Sequence, residues 1–221
     1  MRSRPCLAIA LAALGTSLAA AADERGLDAR LGGGVAFPVG AAGDRFKPGW
    51  QATAGASWAF GGRLALRLDY GYGRHKVVGQ SLAPGFARGR QELQHLDLDL
   101  RLTLDPGGQA LFYVLAGPSL VRRRVEITDV AGYQPAQAPC DPWLMVCEAA
   151  GASLQRVVGS RAGTDAGLNA GVGIEVPLAG SLRFVVESRF LLVHGRDYRV
   201  AGAASRRSTA VYLPLTFGLR F

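Results

Sequence analysis

Much of the chain alternates between apolar and polar residues with a period of two. From Leu64 to Tyr72 every second residue is Leu or Tyr, and the positions between them include Arg67 and Asp69. Successive side chains of a β-strand point to opposite faces, so this pattern predicts strands with one apolar and one polar face. Eight strands are predicted, at residues 27–37, 50–60, 63–73, 95–104, 110–121, 166–178, 182–192 and 211–221. The segment 110–121 is apolar at both parities, so the sequence does not assign its faces.

The connections between the predicted strands alternate between short and long. Tight turns rich in Gly, Pro and Asp are predicted at 60–63, 105–108 and 178–181, and longer loops at 38–49, 74–92, 122–164 and 194–208. An even number of strands of about ten residues, with short turns at one end and long loops at the other, is typical of membrane-spanning barrels. The sequence therefore predicts an all-β, eight-stranded antiparallel up-and-down transmembrane β-barrel.

The charges on the polar face are balanced, which favours placing that face inside the barrel. An unpaired charge in a narrow lumen is costly, whereas a solvated exterior needs no balance. Six basic and six acidic residues form the predicted interior network: Arg30, Arg67, Arg101, Arg183, Arg189 and Arg220, with Asp28, Asp69, Asp97, Asp99, Glu175 and Glu187. The bulky, almost uncharged opposite face is then predicted to contact lipid.

Aromatic residues near the predicted strand ends agree with this assignment. A soluble eight-stranded barrel would have the apolar face inside. A membrane barrel instead carries an aromatic girdle at each interface. The predicted girdle residues are Trp50, Trp58, Phe60, Tyr70, Tyr72, Tyr212 and Phe221.

The first 22 residues have the composition of a secretory signal peptide. Arg2 and Arg4 precede an apolar centre, and a run of alanines ends before Asp23. We therefore expect residues 1–22 to be a signal peptide and residues 23–221 to form the barrel domain.

Two cysteines, Cys140 and Cys147, lie in a Pro-rich part of the longest predicted loop. In the oxidising environment outside the cytoplasm, such a pair predicts a local disulfide. No pair of histidines lies nearby, which disfavours a zinc site. The sequence therefore predicts no metal and no cofactor.

The last predicted strand carries a more specific signal. Every second residue up to Phe221 is apolar: Leu213, Leu215, Phe217, Leu219 and Phe221. This pattern resembles the terminal signal of Gram-negative outer-membrane proteins, which the barrel-assembly machinery reads. The mature chain also resembles the small eight-stranded barrels typified by the membrane domain of outer membrane protein A. The resemblance implies a location in the cell outer membrane, with short periplasmic turns and long extracellular loops.

The predicted interior disfavours a wide pore. Eight strands enclose a lumen just wide enough to be filled by side chains, and the charged residues would fill it further. We expect a structural or cell-surface interaction role without catalysis. A narrow channel for ions or small solutes is the alternative.

A lipid-modifying enzyme is a less favoured alternative. Lipid A deacylases of similar size use a His and a Ser two residues apart on a strand. None of the histidines of the mature chain, His75, His95 and His194, is followed two residues later by Ser. The sequence therefore predicts no catalytic residues.

Basic residues are concentrated in and beside the predicted long loops. Arg suits bidentate contacts with phosphate, and lipopolysaccharide phosphates would surround the barrel at that level. The candidate contacts are Arg74, Lys76, Arg122, Arg124, Arg206 and Arg207. Outer-membrane lipid, lipopolysaccharide and the assembly machinery are the expected partners. A surface protein could bind loop 122–164, and nucleic acid is not expected.

Overall fold

The computed structural model describes residues 26–60, 62–79, 86–104, 110–130, 159–195, 197–198 and 206–221. The strands are β1 (Leu27–Val39), β2 (Gly49–Ala59), β3 (Leu64–Lys76), β4 (Phe86–Leu104), β5 (Leu111–Val130), β6 (Gly159–Ala179), β7 (Leu182–His194), β8 (Asp197–Tyr198), β9 (Arg206–Arg207) and β10 (Ala210–Arg220). One turn of 3-10 helix spans Gly40–Ala42. The predicted signal peptide and both Cys140 and Cys147 lie outside the described residues and stay predictions.

Eight of these strands form a closed antiparallel barrel, in the order β1-β10-β7-β6-β5-β4-β3-β2. The last strand closes the barrel on the first. Phe221 and Ala29 exchange two backbone hydrogen bonds, at 2.9 and 3.0 Å, where β10 meets β1. The predicted eight-stranded barrel is therefore confirmed. No helix in the described parts of the chain is long and apolar enough to cross a membrane.

The two ends of the barrel differ. We call the end with the β2–β3 and β6–β7 connections the turn end, and the opposite end the loop end. The β6–β7 turn is formed by Gly180 and Ser181, and Gly180 has a φ of 57°, a left-handed conformation that favours glycine. At the loop end, β8 and β9 form a separate two-stranded sheet.

Strands β4, β5 and β6 extend well past the predicted boundaries, with 19, 20 and 21 residues. Part of the predicted loops 74–92 and 122–164 is therefore strand. The prediction ended these strands early because the apolar face changes sides there. Leu93, Val121 and Val125 point inward and are buried, while Arg122 and Arg124 point outward.

The apolar face of the spanning segments points outward, as the prediction requires. Leu100, at the middle of the apolar stretch of β4, is 51% exposed on the barrel's outer surface, whereas Arg67 is 1% exposed inside. The structure also assigns the two faces of β5, which the sequence left open. Tyr113 and Leu115 point inward and Val114 points outward. These outward side chains form the apolar band that meets lipid.

One predicted girdle residue is wrongly placed. Tyr212 is fully buried inside the barrel, where its hydroxyl donates a hydrogen bond to Gln91 Oε1 at 3.0 Å. Its parity along β10 matches that of Thr216, which also points inward. Tyr212 was predicted to lie in the girdle because it is near a strand end, but its position in the alternation of β10 places it on the inward face.

Candidate functional site

A buried carboxylate on β7 is the centre of the interior network. Glu187 Oε2 accepts hydrogen bonds from Arg67 Nη1 at 2.7 Å, Arg30 Nη1 at 2.8 Å and the Tyr113 hydroxyl at 2.5 Å. Its other oxygen accepts one from Arg189 Nε at 2.6 Å. Glu187 is 1% exposed, so its charge depends on these donors rather than on water.

Arg189 links Glu187 to three more carboxylates on the opposite side of the lumen. Its Nη1 lies 2.8 Å from Asp97 Oδ2 and 3.1 Å from Asp99 Oδ2, and its Nη2 bonds to Asp69. Asp69 in turn pairs with Arg67 Nε at 2.7 Å. Because β3, β4 and β7 supply these side chains, the network ties together strands on opposite walls of the barrel.

A second cluster lies nearer the turn end. Glu175 Oε1 pairs with Arg101 Nη2 at 2.8 Å, and its other oxygen bonds to Arg220. Arg220 Nη2 also lies 2.5 Å from Asp28 Oδ2. The Arg101 guanidinium stacks over the Tyr113 ring, 4.2 Å from its centroid, so Tyr113 joins this cluster to Glu187.

Tyr113 needs space that only glycine leaves. It lies across Gly173 of the neighbouring strand, where an added Cβ would overlap the tyrosine ring. The sequence does not identify Tyr113 as inward, because the segment 110–121 is apolar at both parities. Pairing the predicted strand 110–121 in register with the strand 166–178 would have identified Tyr113 as inward, because Gly173 lies directly opposite and leaves space for its ring.

The structure brings nearly all of the predicted interior charges together in these two clusters. Arg183 is placed differently, because it is half-buried on β7 beside Arg220 at the turn end. Three polar residues that the sequence analysis did not place in the network extend it towards the loop end: His95, Ser119 and Asn169. Asn169 Nδ2 donates to Asp99 Oδ1 at 2.8 Å and to Ser119 Oγ at 2.9 Å.

The arrangement around Asp97 differs from a nucleophilic site. His95 Nδ1 lies 2.8 Å from Asp97 Oδ2, and Ser119 also bonds to the Asp97 side chain. A serine nucleophile needs the histidine itself as its base. Here His95 and Ser119 share the carboxylate instead. Among the described residues no group of His, Cys, Asp and Glu side chains is arranged to hold a metal ion.

The loop end of the lumen is filled by apolar side chains. Phe46, from the segment that follows the 3-10 helix, is 1% exposed and packs in a buried cluster with Leu93, Val121, Val193 and Tyr212. The segment is held by backbone hydrogen bonds to the end of β3, including Lys47 N–H to Lys76 O at 2.8 Å. The cluster lies inside the barrel, on the loop-end side of the charged network.

A buried ion pair also connects the strands at the loop end. Arg123 Nε donates to Asp165 Oδ2 at 2.8 Å, and its Nη1 and Nη2 donate to the carbonyl and hydroxyl of Ser208 at 3.3 and 3.2 Å. Arg123 thereby joins β5 and β6 to the segment before β10. Arg123 falls in the predicted loop 122–164, because the predicted strand ends at residue 121.

Hydroxyl deletion at Tyr113 tests the contact that joins the two clusters. Tyr113→Phe keeps the ring over Arg101 and removes the donor to Glu187, so we expect the free energy of unfolding to fall by about 1.5–3 kcal/mol. Tyr70→Phe, on the exposed outer surface of β3, is the matched control and should leave stability unchanged. Both are measured by urea unfolding of the refolded protein in lipid vesicles. Equal stabilities for the two variants would contradict a structural role for the Tyr113 hydroxyl.

Four of the predicted phosphate contacts lie on one outer wall. Arg74, Lys76, Arg122 and Arg124 are exposed on the outer faces of β3 and β5. Arg206 and Arg207 are elsewhere, in β9, where their backbones pair with β8.

The residues of the predicted assembly signal lie on the closing strand. Leu213, Phe217 and Leu219 are exposed on the outer surface of β10, and Leu215 is half-buried on the same face. Recognition of this strand by the assembly machinery stays a prediction.

Comparison with known proteins agrees with the geometry. Residues 7–205 match the family described as outer membrane protein beta-barrel domain. The chain belongs to this family. The barrel is therefore located in the outer membrane. Outer-membrane barrels in general have their short turns in the periplasm and their long loops at the cell surface. No curated protein sequence matches the chain.

Several solved barrels are similar in structure. Neisserial surface protein A is 14% identical, with a TM-score of 0.54 over 88% of this chain and 96% of that chain. A major outer membrane protein from Thermus thermophilus is 16% identical, with a TM-score of 0.50 over 88% and 98%. The outer membrane protease OmpT from Escherichia coli is 12% identical, with a TM-score of 0.44 over 88% and 96%. At such low identities the likeness shows the fold alone.

Proposed function

We propose that the protein is a sealed outer-membrane barrel with a structural or cell-surface interaction role, and that it has neither an open pore nor a catalytic centre. One observation carries the proposal: buried side chains from opposite walls of the barrel meet at two levels of the lumen. The charged network around Glu187 fills the middle, and the apolar cluster around Phe46 fills the loop end.

The chemistry of the two layers supports a permanent closure. A guanidinium that pairs with several buried carboxylates, as Arg189 does, is costly to separate from them. At the loop end, buried polar groups pair with one another among the apolar side chains, as Arg123 does with Asp165 and Tyr212 with Gln91. A sealed barrel leaves the loop end and the outer surface as the places where this protein meets other molecules.

The proposal predicts that the folded protein does not pass small solutes. Vesicles that contain the refolded barrel should swell in an isosmotic sugar solution no faster than vesicles without protein. Leu98→Ala, on the lipid-facing surface, is a control that should change nothing. Rapid swelling with the wild-type protein would contradict the proposal.

A narrow, gated path is the second candidate, and buried polar atoms favour it. Asp97 Oδ1 and Asn169 Oδ1 have no hydrogen-bond partner among the described residues. Such atoms are suited to hold water. Alanine substitutions at Arg67, Asp97 and Arg101 distinguish the two candidates. Lower stability without swelling supports a plug, whereas faster swelling with unchanged stability supports a gate.

A further inference from the structure

The outer wall of β3, β4 and β5 changes abruptly from apolar to charged at the loop end. Tyr70, Leu96 and Leu120 are lateral neighbours on these strands, and each is about half exposed in the apolar band. The next outward positions follow at steps of about 7 Å along each strand. From β3 to β5 they are Tyr72, Gln94 and Arg122, then Arg74, Glu92 and Arg124, then Lys76, Arg90 and Glu126. We call these nine residues the wall patch.

The wall patch has a net charge of +3, from five basic and two acidic side chains. The two acids are already engaged. Arg74 Nη2 lies 2.9 Å from Glu92 Oε1, and Arg124 Nη2 lies 2.9 Å from Glu126 Oε1. Arg90 also pairs with Glu126. The acids therefore hold three guanidinium groups in place without neutralising the patch.

Two cations of the wall patch are available to bind an anionic ligand. Within the described residues, Arg122 and Lys76 pair with no carboxylate. Arg122 stands one outward position beyond Leu120, which is 55% exposed on the outer surface. A free guanidinium at the edge of the apolar band lies at the depth of lipid headgroups.

Among the outward strand positions that the structure describes at the loop end, the positive charge is confined to β3, β4 and β5. On the other barrel strands, the described outward residues nearest the loop end are neutral or histidine: Val39, Trp50, Ala162, His194 and Val211. A general solubilising rim would surround the barrel. A one-sided patch of cations, continuous with an apolar surface, fits an amphiphile with a phosphorylated headgroup.

We propose that the wall patch binds the phosphate groups of lipid A in the outer leaflet. The Arg fork matches phosphate oxygens in a bidentate geometry, and Arg122 and Lys76 supply the unpaired charge. The acyl chains lie against the band formed by Tyr70, Leu96 and Leu120. This site is on the outside of the barrel, so it does not depend on whether the lumen is sealed.

Lipid retention in nanodiscs tests the site. The full-length protein is refolded into phosphatidylcholine nanodiscs that contain either diphosphorylated or dephosphorylated lipid A, and bound lipid is counted by native mass spectrometry. We expect the diphosphorylated form to be retained preferentially. Removing the charge by Arg122→Gln should weaken retention about fivefold, and adding Lys76→Gln should weaken it further. Raising the salt concentration should reduce the preference, because the charges are exposed.

A matched variant separates this site from the net charge of the protein. Arg63→Gln removes the same charge from an exposed position at the turn end and should leave retention unchanged. The proposal is overturned if both forms of lipid A are retained equally, since acyl contacts alone would then explain binding. It is also overturned if Arg63→Gln and Arg122→Gln have equal effects. Vesicle swelling is unaffected by either result, so the sealed-barrel proposal is tested separately.

Discussion

Glu187→Gln is expected to lower the free energy of unfolding by about 3–5 kcal/mol, as for other buried charges that lose their partner. The amide keeps the volume of the carboxylate but carries no charge, and its NH₂ group would face arginine donors. Arg30 and Arg67 each donate to both carboxylate oxygens now, and each would lose one of these two acceptors. The measurement is denaturant unfolding in lipid vesicles, followed by tryptophan fluorescence and by gel mobility without boiling.

Glu126→Gln is the control for this prediction. Glu126 also pairs with two arginines, but those arginines are about half exposed at the loop end. Water replaces a lost partner there, so the expected loss is below about 1 kcal/mol. If the two variants were equally stable, the interior network would not hold the barrel together.

Leu100→Arg is expected to cost about 2–4 kcal/mol, the range for a cation at the middle of a barrel's lipid face. Leu100 occupies the central outward position between Leu96 and Leu104 on β4, so the new side chain cannot reach either interface easily. Unfolding of the refolded variant in vesicles measures the loss.

The same substitution at the edge of the band provides the comparison. Leu104 is the last residue of β4 at the turn end and is exposed on the outer surface. There, Leu104→Arg should cost no more than about 1 kcal/mol, because the charge lies near water. Equal losses at the two positions would mean that Leu100 is not at the centre of the lipid-facing band.

The sequence predicts the barrel and its lipid face well because membrane strands follow a simple rule. Between the interfaces, every second residue must be apolar, and the segment Leu96 to Leu104 obeys this at each step. The rule also identifies the interior side by elimination. Strand pairing then follows from the short turns, since neighbours in the chain become neighbours in the barrel.

The rule fails where the surroundings of the strand change. Beyond Leu120 the outer surface meets headgroups and water, so Arg122 and Arg124 face outward while Val121 and Val125 fill the lumen. The alternation continues with its polarity reversed, and a search for outward apolar residues therefore ends the strand too early. The predicted strands for β4 and β5 are too short for this physical reason.

The sequence also does not predict which residues pair with one another in the interior network. Alternation gives the inward side of Glu187 but not its bonds to Arg30 and Tyr113, which come from strands far away in the chain. Those contacts depend on how the barrel closes and on the stagger of its strands. The pattern does not predict the burial of Phe46, because its segment has no strand periodicity.

The central claim is that the lumen is sealed, and single-channel recording in planar bilayers tests it most directly. The protein is refolded, its folded barrel is confirmed by gel mobility without boiling, and current is recorded under an applied voltage. We predict a current indistinguishable from that of the bare bilayer, because the Glu187 network and the Phe46 cluster both block the path. Discrete, reproducible openings of the wild-type protein would contradict the claim and would make the interior charges candidates for selectivity residues.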